Sequence, residues 1–90
     1  MATLEKIRET IRELASRPRN VVLSEIEWVV DQLGANGYRV KVRDAGHQKL
    51  FTVESRVFGV CSHNPGSKQI KPAYAKGFID AMIDLGLYDD

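Results

Sequence analysis

Ninety residues suffice for one domain and are too few for a large enclosed active site, because a chain of this length buries only about two-thirds of its unfolded surface. A hydrophobic content of 43% beside 28% charged residues argues against both a disordered chain and a bilayer-spanning one. The longest aliphatic run, Val21-Val22-Leu23, falls far short of the ~20 residues that a membrane helix needs. The net charge of +1 conceals a segregation. Residues 1–37 set five cations against six acids, residues 38–76 set eight cations against only Asp44 and Glu54 for a net +6, and residues 77–90 hold four aspartates and no cation. A basic middle between acidic ends points to a polyanion-binding surface, whose field acts within a Debye length of ~8 Å at physiological salt.

Leu4, Ile7, Ile11 and Leu14 recur at three- and four-residue steps, with Glu5/Arg8 and Glu9/Arg12 pairs on the opposite face, which predicts an amphipathic helix from Thr3 to Ser16. Arg17-Pro18 ends it. No apolar stretch follows the charged start, so no secretory signal is expected. A helix this short needs a docking surface for its stripe, either the rest of the chain or a second copy in a homodimer. Residues 1–19 are therefore read as an N-terminal helix and linker, and residues 20–90 as the main domain.

Ser24-Glu25-Ile26-Glu27 has the form of a capping box, and Leu23 and Trp28 stand where a hydrophobic staple would. Ile26, Val29, Val30 and Leu33 then share one helical face, and Gly34 is the expected left-handed stop. From Tyr38 the period changes to two. Tyr38, Val40 and Val42 alternate with Arg39, Lys41 and Arg43, which predicts a strand with one buried face and three cations on the other, ~6.6 Å apart. Asp44-Ala45-Gly46 reads as a turn, Lys49 to Val53 as a second strand, and Glu54-Ser55 as a tight hairpin into a third strand from Arg56 to Cys61.

Residues 63–67 read as a loop, punctuated by Pro65 and Gly66. Pro72 suits the first position of a last helix, whose stripe is Tyr74, Ala75, Phe78, Ile79, Met82 and Leu85. Gly86 caps it, and Leu87 folds back on its last turn. The fold class expected is α+β: a three-stranded antiparallel sheet with helices on one face, burying Tyr38, Val40, Val42, Phe51, Val53, Phe58 and Val60, and leaving the other face polar and basic.

Phosphate-binding, dinucleotide-binding and nucleophile-elbow motifs are absent, and Cys61 with His47 and His63 lacks a convincing fourth ligand, so neither a metal nor a cofactor is expected. A single cysteine excludes internal disulfides and favours a reducing, cytoplasmic setting. His47, beside the turn that opens the second strand, is the side chain best suited to take a proton from an RNA 2′-hydroxyl near neutrality. Lys68, Lys71 and Lys76 cluster around the start of the last helix, whose unpaired N–H groups attract phosphate. With Arg39, Lys41 and Arg43 they form the candidate RNA-binding set.

Ala45-Gly46-His47-Gln48-Lys49-Leu50-Phe51, Val60-Cys61-Ser62-His63-Asn64-Pro65, Ile70-Lys71-Pro72 and Ile83-Asp84-Leu85-Gly86-Leu87 together resemble the HicA toxin family over about residues 20–87. The resemblance implies a double-stranded-RNA-binding-like fold of order α-β-β-β-α, here preceded by an extra helix. It also implies an mRNA interferase with a histidine as catalytic residue and a HicB-type antitoxin as partner. Aligning Gly46 with the family glycine places His47 on the motif serine and Lys49 on the usual catalytic histidine; a shift of one places Gln48 there. Two outcomes stay open: a metal-independent ribonuclease using His47, helped by His63 or Lys49, and a noncatalytic RNA-binding module. A protein-interaction domain using the exposed sheet or the first helix is a third reading.

Overall fold

The computed structural model describes residues 2–46, 48–61 and 70–89. In chain order the elements are α1 (Leu4–Ser16), α2 (Leu23–Ala35), β1 (Val40–Ala45), β2 (Gln48–Val53), β3 (Arg56–Cys61) and α3 (Pro72–Asp84). Thr3 caps α1, its hydroxyl accepting the Lys6 N–H at 3.2 Å. Of the stripe read from the sequence, Leu4 in the first turn is 39% exposed, while the other three residues, Ile7, Ile11 and Leu14, are buried at 0%, 0% and 1% exposure.

These side chains dock within the chain, where α1 packs on α2 and α3. The two ends of the α1–α2 pair are tied by polar contacts that make it an antiparallel hairpin. At one end the Ala2 N–H donates to Gln32 Oε1 (2.8 Å) and Asn36 Nδ2 donates to the Ala2 carbonyl (3.0 Å). At the other, both guanidinium nitrogens of Arg17 donate to the two carboxylate oxygens of Glu25.

The start of α2 differs from the expected capping box. The helix begins at Leu23, one residue before the predicted cap Ser24, and the Val22 N–H donates to Glu25 Oε1 at 3.0 Å. Valine has no oxygen to return the bond, so only half of the reciprocal arrangement forms. Gly34 does not end α2 either. It lies inside the helix, and Gly37, at φ +96°, takes the left-handed conformation. Gly34 serves the packing instead: a Cβ there would stand 2.8 Å from Val40 Cγ2, so the absent side chain lets β1 approach α2.

The strands form an open antiparallel sheet in the order β1-β2-β3. Asp44 and Ala45 belong to β1 rather than to a turn, and Ala45 pairs with Gln48 across a reversal that Gly46 opens at φ +66°. Val53 pairs with Arg56, so Glu54-Ser55 closes the second hairpin as expected, with Glu54 itself at φ +56°. Phe51, Val53, Phe58 and Val60 face the helices. Phe51 and Phe58 stack with centroids 5.3 Å apart, and Phe78 of α3 meets Phe58 edge-on at 5.5 Å.

Helix α3 ends in paired reverse bonds, Leu87 N–H to Met82 O at 2.9 Å and Gly86 N–H to Ile83 O at 3.0 Å, which fold Leu87 into the core. The expected core is corrected at β1. Tyr38 and Val40 are only partly buried and Val42 is 47% exposed, because α3 lies over β3 and α2 reaches only the start of β1. No helix among the described residues is long and apolar enough to cross a membrane.

Candidate nucleic-acid interface

Alternation along the strands decides which cations share a surface. Val40, Val42 and Asp44 stand on the helix side of β1, opposite Val53, Phe51 and Lys49 of β2. Lys41, Arg43 and Ala45 therefore project from the outer face. The register sets three rows there: Lys41, Thr52 and Val57; Arg43, Leu50 and Gly59; Ala45, Gln48 and Cys61. None of these residues is acidic, and neither Lys41 nor Arg43 has an ion-pair partner among the described residues.

The face is also low in relief. A Cβ on Gly59 would collide with Gln48 Nε2 and stand 3.2 Å from Leu50 Cδ2, so these two side chains lie down across the glycine. Just before β1, Arg39 has an acid beside it, though its side chain is 86% exposed. Its N–H donates to Glu54 Oε2 at 2.6 Å, its Nε lies 3.7 Å from the same oxygen, and the Glu54 N–H returns a bond to the Arg39 carbonyl at 2.7 Å. A shallow depression of about 310 Å³ here is lined by Arg39, Val40, Lys41, Thr52 and Glu54.

The remaining candidates separate. Lys71 is the residue that leads into α3 and Lys76 stands one turn on; both are exposed, and they belong to the helical layer that covers the opposite face of the sheet. The first turn of α3 has no acid and no side-chain cap, so its N–H groups and Lys71 form a second electropositive region. Lys49 lies in neither group. Its Nζ donates to Glu27 Oε2 of α2 at 2.8 Å, and that bond raises its pKa, holding the side chain as an ammonium. Strand parity in the sequence contained this signal, since Lys49 is in phase with Phe51 and Val53. The partner Glu27 had no signal.

His47, His63 and Lys68 lie outside the described residues. Among those described, no group of three or more His, Cys, Asp or Glu side chains is arranged to hold a metal ion. No protein-family model, curated protein or solved structure matches this chain.

Proposed function

We propose that this protein binds RNA as a HicA-like toxin of double-stranded-RNA-binding-like fold, with α1 as an addition to the α-β-β-β-α unit. The observation that carries the reading is the outer face of the sheet, where the three rows that hold Lys41 and Arg43 contain no acid and neither cation has an ion-pair partner among the described residues. The face is mixed, with Leu50 and the 64% exposed Val57 beside the cations, and exposed cations there neutralise phosphates with little side-chain desolvation while released counterions supply the affinity. The order of elements from α2 to α3 supports the fold assignment. The motifs around Gly46 and Pro72 support the family assignment, with a HicB-type antitoxin as partner and metal-independent cleavage by His47.

One observation favours the noncatalytic alternative. Lys49, which replaces the motif histidine in one alignment, is held as an ammonium by Glu27 on the helix side and has no free base to offer. Catalysis then rests on His47.

Binding of single-stranded RNA measured across a salt series tests the first part. Affinity falls steeply with salt, and Lys41→Ala with Arg43→Ala lowers the log–log slope by ~0.7 to 0.9 for each phosphate that is no longer neutralised. An unchanged slope rejects the sheet face as the RNA surface. Chelator-resistant cleavage that drops ~10² to 10⁴-fold on His47→Ala, with binding retained, supports the nuclease. Binding without cleavage by the native chain leaves the noncatalytic module.

A further inference from the structure

Among the described residues strand β1 is an edge strand, and α2 reaches only its start, at Val40. It pairs with β2 alone, through an unbroken register from Val40/Val53 to Ala45/Gln48, with no bulge and no proline. Residues 41–45 are all exposed, and on the helix side Val42 is 47% exposed. In an antiparallel ladder, alternate residues of an edge strand turn N–H and C=O outward, so β1 offers a straight row of backbone donors and acceptors for another strand. The opposite edge, β3, lacks the same charge pattern; its one cation, Arg56, lies 3.6 Å from Asp84.

We propose that the free edge of β1 is a docking site for an extended acidic segment of a protein partner, added antiparallel as a fourth strand. The side chains of β1 specify this occupant. Lys41 and Arg43 on the outer face call for carboxylates directly across, and Val42 on the helix face calls for an aliphatic residue between them. The partner segment thus alternates acidic and aliphatic positions. Asp44 does not oppose it strongly, because Asp44 faces Lys49 across the ladder within the domain.

A second copy of this chain is the wrong occupant. An antiparallel pair of β1 strands related by a two-fold axis normal to the sheet keeps outer face on outer face, and in the registers centred on Val42 or Arg43 it sets Lys41 against Arg43 or Arg43 against Arg43 of the other copy. Like charges directly opposite are destabilising. The same two side chains therefore block self-pairing and select an acidic partner. A further consequence rests on the RNA reading above: a strand that places carboxylates on Lys41 and Arg43 occupies the cations that RNA would use, so the two ligands exclude each other.

The test uses the full chain and a capped peptide of alternating glutamate and valine, about seven residues long, the length of one strand. Hydrogen exchange and amide chemical shifts of the protein are followed as peptide is added. The expected result is protection of alternate β1 amides with β3 unaffected, and roughly tenfold weaker binding by a scrambled peptide of equal charge. N-methylation of the peptide nitrogens that face β1 should abolish binding, and Lys41→Glu with Arg43→Glu should reverse the preference toward a lysine–valine peptide.

No β1 protection, equal binding of the scrambled peptide, or indifference to N-methylation overturns the proposal. Protection of β1 by RNA and not by peptide, or by a concentration-dependent doubling of mass, assigns the edge to another occupant and overturns it as well. Failure of the peptide to displace bound RNA, with β1 protection intact, overturns only the exclusion and the RNA surface on which it rests.

Discussion

Lys49 of β2 and Glu27 of α2 are joined by a 2.8 Å hydrogen bond, with side-chain exposures of 28% and 39%. It is the polar link between the middle strand and the helical layer, close to the hairpin that holds Gly46. The bond raises the Lys49 pKa in the folded protein, so its stabilisation is complete below the unfolded lysine value of ~10.4 and is lost as pH rises through the raised native value. A double-mutant cycle with Glu27→Gln and Lys49→Met should give a coupling of about 0.5–1 kcal/mol at neutral pH, given partial exposure, and none at strongly alkaline pH. If the chain cleaves RNA through His47 as proposed, Glu27→Gln should leave that cleavage unchanged.

The Arg17–Glu25 pair titrates in the other direction. Its hydrogen bond to Arg17 holds the Glu25 carboxyl below the usual carboxylate range. The resulting stability is present above the unfolded value of ~4.3 and disappears as pH falls through the lowered native value. Glu25→Gln should therefore lower the melting temperature at neutral pH, by an amount matching about 1 kcal/mol for the weakened pair and cap, and should converge with the native chain only once pH has fallen through the lowered Glu25 value. Parallel melting curves at all pH values would show that the pair contributes nothing.

Helix α1 belongs to the core of this chain. Ile11 is fully buried, and Ile11→Ala should cost about 2–5 kcal/mol in urea unfolding, with the larger values expected if the cavity stays open. Removing residues 2–19 exposes the surfaces of α2 and α3 that α1 covers. It should lower the melting temperature sharply or leave the chain aggregated, whereas an unchanged melt would contradict the docking.

Gly34→Ala sets helix propensity against packing. Alanine is better than glycine inside a helix by about 1 kcal/mol, yet its Cβ would meet Val40 Cγ2 at 2.8 Å, and a β-branched side chain in a strand has little freedom to move aside. The net expected change is a destabilisation of about 1–2 kcal/mol, reversed when Val40→Ala is added. A stabilised single variant would show that β1 can retreat at no cost.

Periodicity made the elements legible. Ile7, Ile11 and Leu14 of the first stripe, Pro72 at the head of α3 and Gly86-Leu87 at its end are local signals, set by chain geometry over a few residues, and the structure has them where they were expected, whereas the period of two expected from Tyr38 becomes a strand only at Val40 and Leu4 stays exposed. Only docking decided which alternating face was covered. Val42 carries the same pattern as Val53 and stays exposed, because burial depends on sheet order and on where α3 lies, and neither is written in a strand's own alternation. Charge was legible as a +6 segment, but its division was not. Lys41 and Arg43 on the outer face, Lys71 and Lys76 in the helical layer, and Lys49 bound to Glu27 are separated by strand parity and by contacts between residues distant along the chain. Such contacts come into being only when the layers pack, which is why tertiary structure alone could set Glu27 beside Lys49 and leave the edge of β1 open.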